Sequence, residues 1–179
     1  MARARFVFSG SGGQGVITAS VILAAAAALY EGLYAVQSQT YGPEARGGAT
    51  RGDVIISKEK INFPKVTQPN ILVSLTQEAY NKYVGIVRPG GLVLTDSHSV
   101  KTERKVDARQ VELPMYQLTM ERIGNPIVFN ICMLGVVIAL TQVVKPSAII
   151  KALEANVSAR FLTMNIQAFD LGQELGRGG

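Results

Sequence analysis

Short apolar runs alternate with longer apolar stretches through the first hundred residues of this chain. RFVFS at residues 5–9 is an aromatic, β-branched run of strand length, and VITASVILAAAAALY at 16–30 is long and rich enough in Ala and Leu for a buried helix. LYAVQSQTY (33–41) reads as a second strand, and TRGDVIIS (50–57) as one that runs back beside it, antiparallel. ILVSL (71–75) is a short, mostly apolar run typical of a parallel strand covered on both faces, and LVLTD (92–96) reads as another core strand. Between them TQEAYNKYVGIV (76–87) is amphipathic, with Thr76 placed to cap a helix, and PGG closes it. VDARQVELP (106–114) alternates as a strand ending at Pro114.

The rest of the chain reads as helix. The segments are MYQLTMERIG, NPIVFNICMLGVVIALTQ, PSAIIKALEAN and SARFLTMNIQAFDLGQEL. Strand–helix alternation followed by a helical half predicts an α/β fold, a three-layer sandwich around a mainly parallel, mixed sheet. No segment has the composition of a linker, so residues 1–176 are expected to form one domain, with 177–179 a disordered tail.

Composition sharpens this picture. Hydrophobic residues make up 47% of the chain and charged ones only 17%, so the protein either spans a membrane or buries much surface against partners. The uncharged stretch 125–144 is the one membrane-like segment. Asn130, Gly135 and Gln142 dilute it, and Asn125 and Pro126 open it as the cap and first turn of a soluble helix. It is read as a core or interface helix, and no membrane association is expected. The N-terminus lacks the pattern of a signal peptide. The single cysteine, Cys132, lies in that apolar run, which removes a disulfide framework and any cysteine-held metal or iron–sulfur site. A cytoplasmic setting fits. The net charge of +5 is scattered, and KTERKVDAR (101–109) reads as a solvated face. Nucleic-acid binding is not expected; an acidic partner or a phosphorylated cofactor is.

Residues 10–15, GSGGQG, lie between the first strand and the first helix and match the dinucleotide-binding pattern G-x-G-x-x-G. The glycines permit a tight turn, and the helix N-terminus behind them suits a phosphate or carboxylate. The acidic residue that would hold a ribose at the end of the second strand is missing; Gln37 and Gln39 stand there, and Glu31 comes too early. His98, the only histidine, follows a core strand, but no nucleophile accompanies it, and a solvated loop residue is the simpler reading. Asp96 is read as capping a turn. Asp53 and Glu44 are too isolated to form a carboxylate pair. No catalytic constellation is expected.

Taken together, GSGGQGV, YGPEARGG some thirty residues later, QEAYNKY and RPGGLVLTDS resemble the gamma subunit of 2-oxoacid:ferredoxin oxidoreductases, most of all the 2-oxoglutarate type. The likeness runs through the C-terminal RFLTMNIQAFDLG. It implies the gamma-domain fold of the pyruvate–ferredoxin enzymes and a holoenzyme that converts a 2-oxoacid to an acyl-CoA, using thiamine diphosphate with magnesium and passing electrons through iron–sulfur clusters to ferredoxin. Those cofactors belong to other subunits, with coenzyme A as substrate; the gamma subunit is expected to hold none and to be inactive alone. Its partners would be the alpha and beta catalytic subunits and a ferredoxin-like subunit. Its exposed apolar faces leave a homodimer open for the isolated chain.

By the same resemblance Gly12, Gly13, Gln14 and Gly15 line one loop, facing the coenzyme A side or a partner subunit. Tyr41, Gly42, Pro43, Glu44, Arg46, Gly47 and Gly48 form a second, partner-facing loop. Both are expected at one edge of the sheet, unless the glycines serve only to shape tight turns. The alternative is a free-standing nucleotide- or anion-binding Rossmann-like protein that uses residues 10–15.

Overall fold

The computed structural model describes residues 3–40 and 48–178. Six strands form one sheet: β1 (Ala4–Gly10), β2 (Tyr34–Gln39), β3 (Thr50–Ser57), β4 (Ile71–Ser74), β5 (Gly91–Asp96) and β6 (Ala108–Leu113), in the order β2-β3-β1-β4-β5-β6. β1, β4, β5 and β6 run parallel, and β3 is antiparallel to both β1 and β2. The antiparallel excursion predicted from the sequence is therefore present, and it is inserted between β2 and β1.

Alternate residues of β1 separate two cores, as the pleat of a strand requires. Phe6 and Phe8 face the larger one, with α1 (Val16–Ala25), α4 (Phe129–Thr141), α5 (Pro146–Asn156) and α6 (Ala159–Gly178). Val7 faces the smaller one, with Leu72, Val93 and the buried rings of Tyr80 and Tyr83 on α2 (Gln77–Tyr83). The Thr76 side chain accepts from the Ala79 N–H at 3.2 Å, the predicted cap. α3 (Met115–Arg122) completes the larger layer. The architecture is the three-layer α/β sandwich expected.

The 125–142 stretch is nearly one helix. Asn125 accepts from the Ile127 N–H, Pro126–Val128 make a 3₁₀ turn, and α4 then runs with every residue from Phe129 through Ile138 buried. Among the described residues no helix is long and apolar enough to cross a membrane. α4 and α6 cross at glycine contacts, where a Cβ on Gly135 would strike the Phe169 carbonyl and one on Gly172 the Cys132 carbonyl. Gln173 Nε2 fastens the crossing by donating to the Gly135 carbonyl at 2.6 Å. Two expectations shift. The predicted 16–30 helix loosens into a π turn over Ala26–Tyr30, and α6 continues through Gly178 where a disordered tail was read.

Candidate functional site

β1 delivers its chain to α1 on one face of the sheet, and its parallel neighbour β4 delivers to α2 on the other. Where such connections diverge, a crevice opens beyond the carboxyl ends of the strands. The glycine loop occupies that position.

Its shape is set by backbone that only glycine adopts readily. Gly13 has φ +85° and Gly15 has φ +74°, both left-handed. Gly15 is the cap residue of α1; no side chain caps that helix, and its first turn contains no acidic residue. The N–H groups of the first turn have no partner within the helix, so they present donors and partial positive charge at the loop. Gln14 turns inward, its Oε1 accepting from the Ser11 N–H at 2.7 Å, which stiffens the loop from within.

A cavity of about 530 Å³ opens against this loop. Ser11, Gly13 and Gly15 form its polar end; Ile17, Ile131 and Val157 form an apolar wall. Ile127 and Phe161 stand at the cavity with 65% and 36% of their surface exposed, so apolar rim remains uncovered in the isolated chain. Asn130 lies between. It is buried, its Nδ2 donates to the Gly15 carbonyl at 3.1 Å, and its Oδ1 has no partner among the described residues. A buried amide oxygen left without a donor is costly, and a ligand N–H or O–H would satisfy it.

Among the described residues no titratable side chain lines the cavity. The arrangement can bind and orient a group with an anionic or carbonyl end and an apolar body.

Of the second loop, Tyr41, Gly42, Pro43, Glu44, Arg46 and Gly47 lie outside the described residues; Gly48 is described. The anchors of that segment converge on the glycine loop. Thr40 N–H donates to the Arg51 carbonyl at 3.1 Å, and Thr50 pairs with Gly10 across β3 and β1. Thr50 also lines the cavity.

The other candidates are structural. Asp96 is fully buried; its Oδ1 accepts from the Tyr116 N–H at 2.8 Å at the start of α3, its carboxylate also meets the His98 backbone in the turn it opens, and burial raises its carboxyl above the usual range. His98 is exposed and stacks on Tyr116 at 5.5 Å between ring centres. Cys132 is buried, and its thiol is pushed up to about 11 by burial, which leaves it unreactive. Glu31 Oε1 accepts from the Lys145 N–H, and Gln37 Nε2 donates to Ser20 Oγ. Asp53 pairs with Arg51 at 2.7 Å. Among the described residues no cluster of three His, Cys, Asp or Glu side chains could hold a metal ion.

Sequence reading passed over Asn130 as a dilution of an apolar helix. The available signal was that a lone amide inside a core helix must find partners.

Residues 5–175 match the family model described as pyruvate ferredoxin/flavodoxin oxidoreductase. The chain belongs to that family. It is 46% identical over 171 residues to 2-oxoglutarate synthase subunit KorC of Methanocaldococcus jannaschii, covering 94% of this chain and 91% of that one. The keto/oxoacid ferredoxin oxidoreductase gamma subunit of Geobacter sulfurreducens superposes with a TM-score of 0.89 at 40% identity, over 98% of this chain and 99% of that one. A chain of the 2-oxoglutarate:ferredoxin oxidoreductase of Magnetococcus marinus, solved with 2-oxoglutarate, coenzyme A and succinyl-CoA bound, shares the fold. Its TM-score is 0.87 at 23% identity, over all of this chain and 32% of that longer one. The resemblance read from the loops is thus shown, and the fold is that of oxidoreductase gamma subunits.

Proposed function

We propose that this chain is the gamma subunit of a cytoplasmic, thiamine-diphosphate-dependent 2-oxoglutarate:ferredoxin oxidoreductase, and that its glycine loop faces the coenzyme A side of the catalytic subunits. The observation that carries the site is the cavity at the α1 N-terminus, where the described residues place the glycine loop, the amides of Asn130, Asn156 and Asn165 and a set of aliphatic side chains, with Asn130 Oδ1 lacking a donor among them. A coenzyme A arm has that character, carrying amide N–H and carbonyl groups along an otherwise apolar chain. When bound, coenzyme A supplies the thiol that accepts the acyl group. This chain's residues position it: the α1 amides and Ser11 at the polar end, Asn130 at an amide, and Ile17 and Ile131 along the body.

We assign thiamine diphosphate, magnesium and the iron–sulfur clusters to other subunits; clusters need several cysteine thiolates, and the one cysteine of this chain is buried. They belong to the alpha, beta and ferredoxin-like partners, and the isolated chain is inactive, with exposed apolar surface that leaves self-association open.

Within the second loop, Arg46 offers a planar fork of donors that lysine cannot reproduce. Arg46→Lys is expected to leave the isolated chain's melting temperature unchanged while weakening assembly or raising the KM for coenzyme A. Loss of a partly desolvated contact of this kind costs about 2–5 kcal/mol.

The deciding experiment is purification of the native complex with a coenzyme A titration beside it. Co-purification with thiamine-diphosphate subunits and 2-oxoglutarate-dependent ferredoxin reduction are expected. Isolation as a lone chain that binds a nicotinamide nucleotide at micromolar concentration would replace this reading with the free-standing nucleotide binder.

A further inference from the structure

The opposite end of the sheet carries a different surface. Arg5 is the second residue of β1, about 17 Å along the strand from Gly10 at a rise of roughly 3.3 Å per residue. Beside it, Lys65 precedes β4 and Arg88 precedes β5, and the three converge with Arg3 on an open pocket of about 370 Å³. Among the described residues no carboxylate lines this pocket. Four cations gathered here compare with a net charge of +5 for the whole chain, so this one spot holds charge equal to most of its excess. Among the described residues no ion pair engages any of the four; Arg3 Nη2 donates only to the Lys60 carbonyl. Phe63 stands in the same pocket with 60% of its surface exposed.

From this juxtaposition we propose that the pocket is a docking surface for an acidic face of another subunit of the complex, a contact separate from the glycine-loop end. The pairing of arginines with a protruding aromatic ring is the composition of protein–protein anchors, where the ring is buried and the cations meet carboxylates around it. A free phosphate group is served less well, because no helix N-terminus lines the pocket among the described residues and the adjoining Gly90–Gly91 turn donates its N–H groups to the Asp107 and Arg88 carbonyls. Nucleic acid calls for a stripe of charge along a backbone, and these cations sit at one concave spot.

The proposal rests on the subunit reading above, and the test separates the two. Lys65 and Arg88 are both exposed, so Lys65→Glu/Arg88→Glu should fold normally, as a thermal melt of the chain would confirm. A second double variant, Lys105→Glu/Arg109→Glu, makes the same change of net charge on exposed residues elsewhere. Complexes assembled with each are titrated with salt and followed by size-exclusion chromatography. The expected result is that the pocket variant binds its partner subunits at least about tenfold more weakly at low salt, with a flatter salt dependence, while the control matches wild type. Conservative Lys65→Arg/Arg88→Lys should retain binding.

Equal loss in both charge-reversal variants, or loss in neither, would overturn the docking surface and leave the subunit reading standing. Micromolar binding of pyrophosphate or a DNA oligonucleotide, abolished by the pocket variant while assembly is unaffected, would also overturn it. Failure of the wild-type chain to assemble with any subunit would overturn both readings.

Discussion

Asn130, on α4, donates through Nδ2 to the carbonyl of Gly15, 115 residues earlier, and occupies the space where a Gly15 side chain would lie. A Cβ on Gly15 would stand 2.5 Å from Nδ2 and 2.7 Å from the amide carbon. The glycine loop therefore keeps its form because a helix from the far half of the chain closes over it.

Gly15→Ala meets two penalties at once, the left-handed φ of +74° and the overlap with Asn130. The backbone alone costs about 1–3 kcal/mol. A lowered melting temperature and weakened coenzyme A binding are expected together. Asn130→Ala should relieve the overlap and recover part of the lost stability in the double variant, which a double-mutant cycle by thermal melting would check.

At the α4–α6 crossing, Gly172→Ala places a methyl group against the Cys132 carbonyl, and backbone cannot yield as a side chain can. Helix separation should cost about 1–3 kcal/mol. Gly178→Ala, on the same helix but in open space, should leave stability within about 0.5 kcal/mol of wild type. Comparable denaturant midpoints for the two would contradict this packing.

Arg51 holds Asp53 by Nε at 2.7 Å and Nη2 at 3.0 Å, reaches the Val66 carbonyl at 2.6 Å, and lies 5.2 Å from the centre of the Tyr83 ring. The two side chains are 15% and 13% exposed, so truncation strands a nearly buried carboxylate. Arg51→Ala is expected to destabilise by about 3 kcal/mol. Arg51→Lys loses the fork but retains the charge, and about 1 kcal/mol is expected from equilibrium unfolding.

Asp96 supplies a pH signature. Burial raises its carboxyl in the folded state, so the native protein binds this proton more tightly than the unfolded chain. Its favourable contribution is complete below the unfolded carboxylate value of about 3.9 and is lost as the pH rises through the elevated folded value. Asp96→Asn keeps an oxygen for the Tyr116 N–H and removes the titration. The melting temperature of Asp96→Asn relative to wild type should therefore climb between pH 4 and pH 7. A constant difference across that range would show that Asp96 does not titrate with folding.

Local chemistry in the sequence determined the order of elements and most of their ends. Alternation and β-branched runs marked the strands, Thr76 and Asn125 marked helix starts, and the apolar openings of ILVSL and LVLTD announced core strands. The two glycine-bearing loops also sufficed to place the chain near its family. Tertiary structure decided what depends on residues far apart in sequence. That β3 lies between β2 and β1 follows from which faces are buried together, and no local pattern encodes it. That α6 stays helical to its end follows from packing: Gly176 lies against Val136 and Ala139 of α4, which outweighs the poor helix propensity of glycine. The cavity arose the same way. Its glycines are contiguous and were legible, whereas Asn130 and Phe161 reach it only after three helices have folded back over β1, because buried polar and apolar groups find their partners through the fold rather than along the chain.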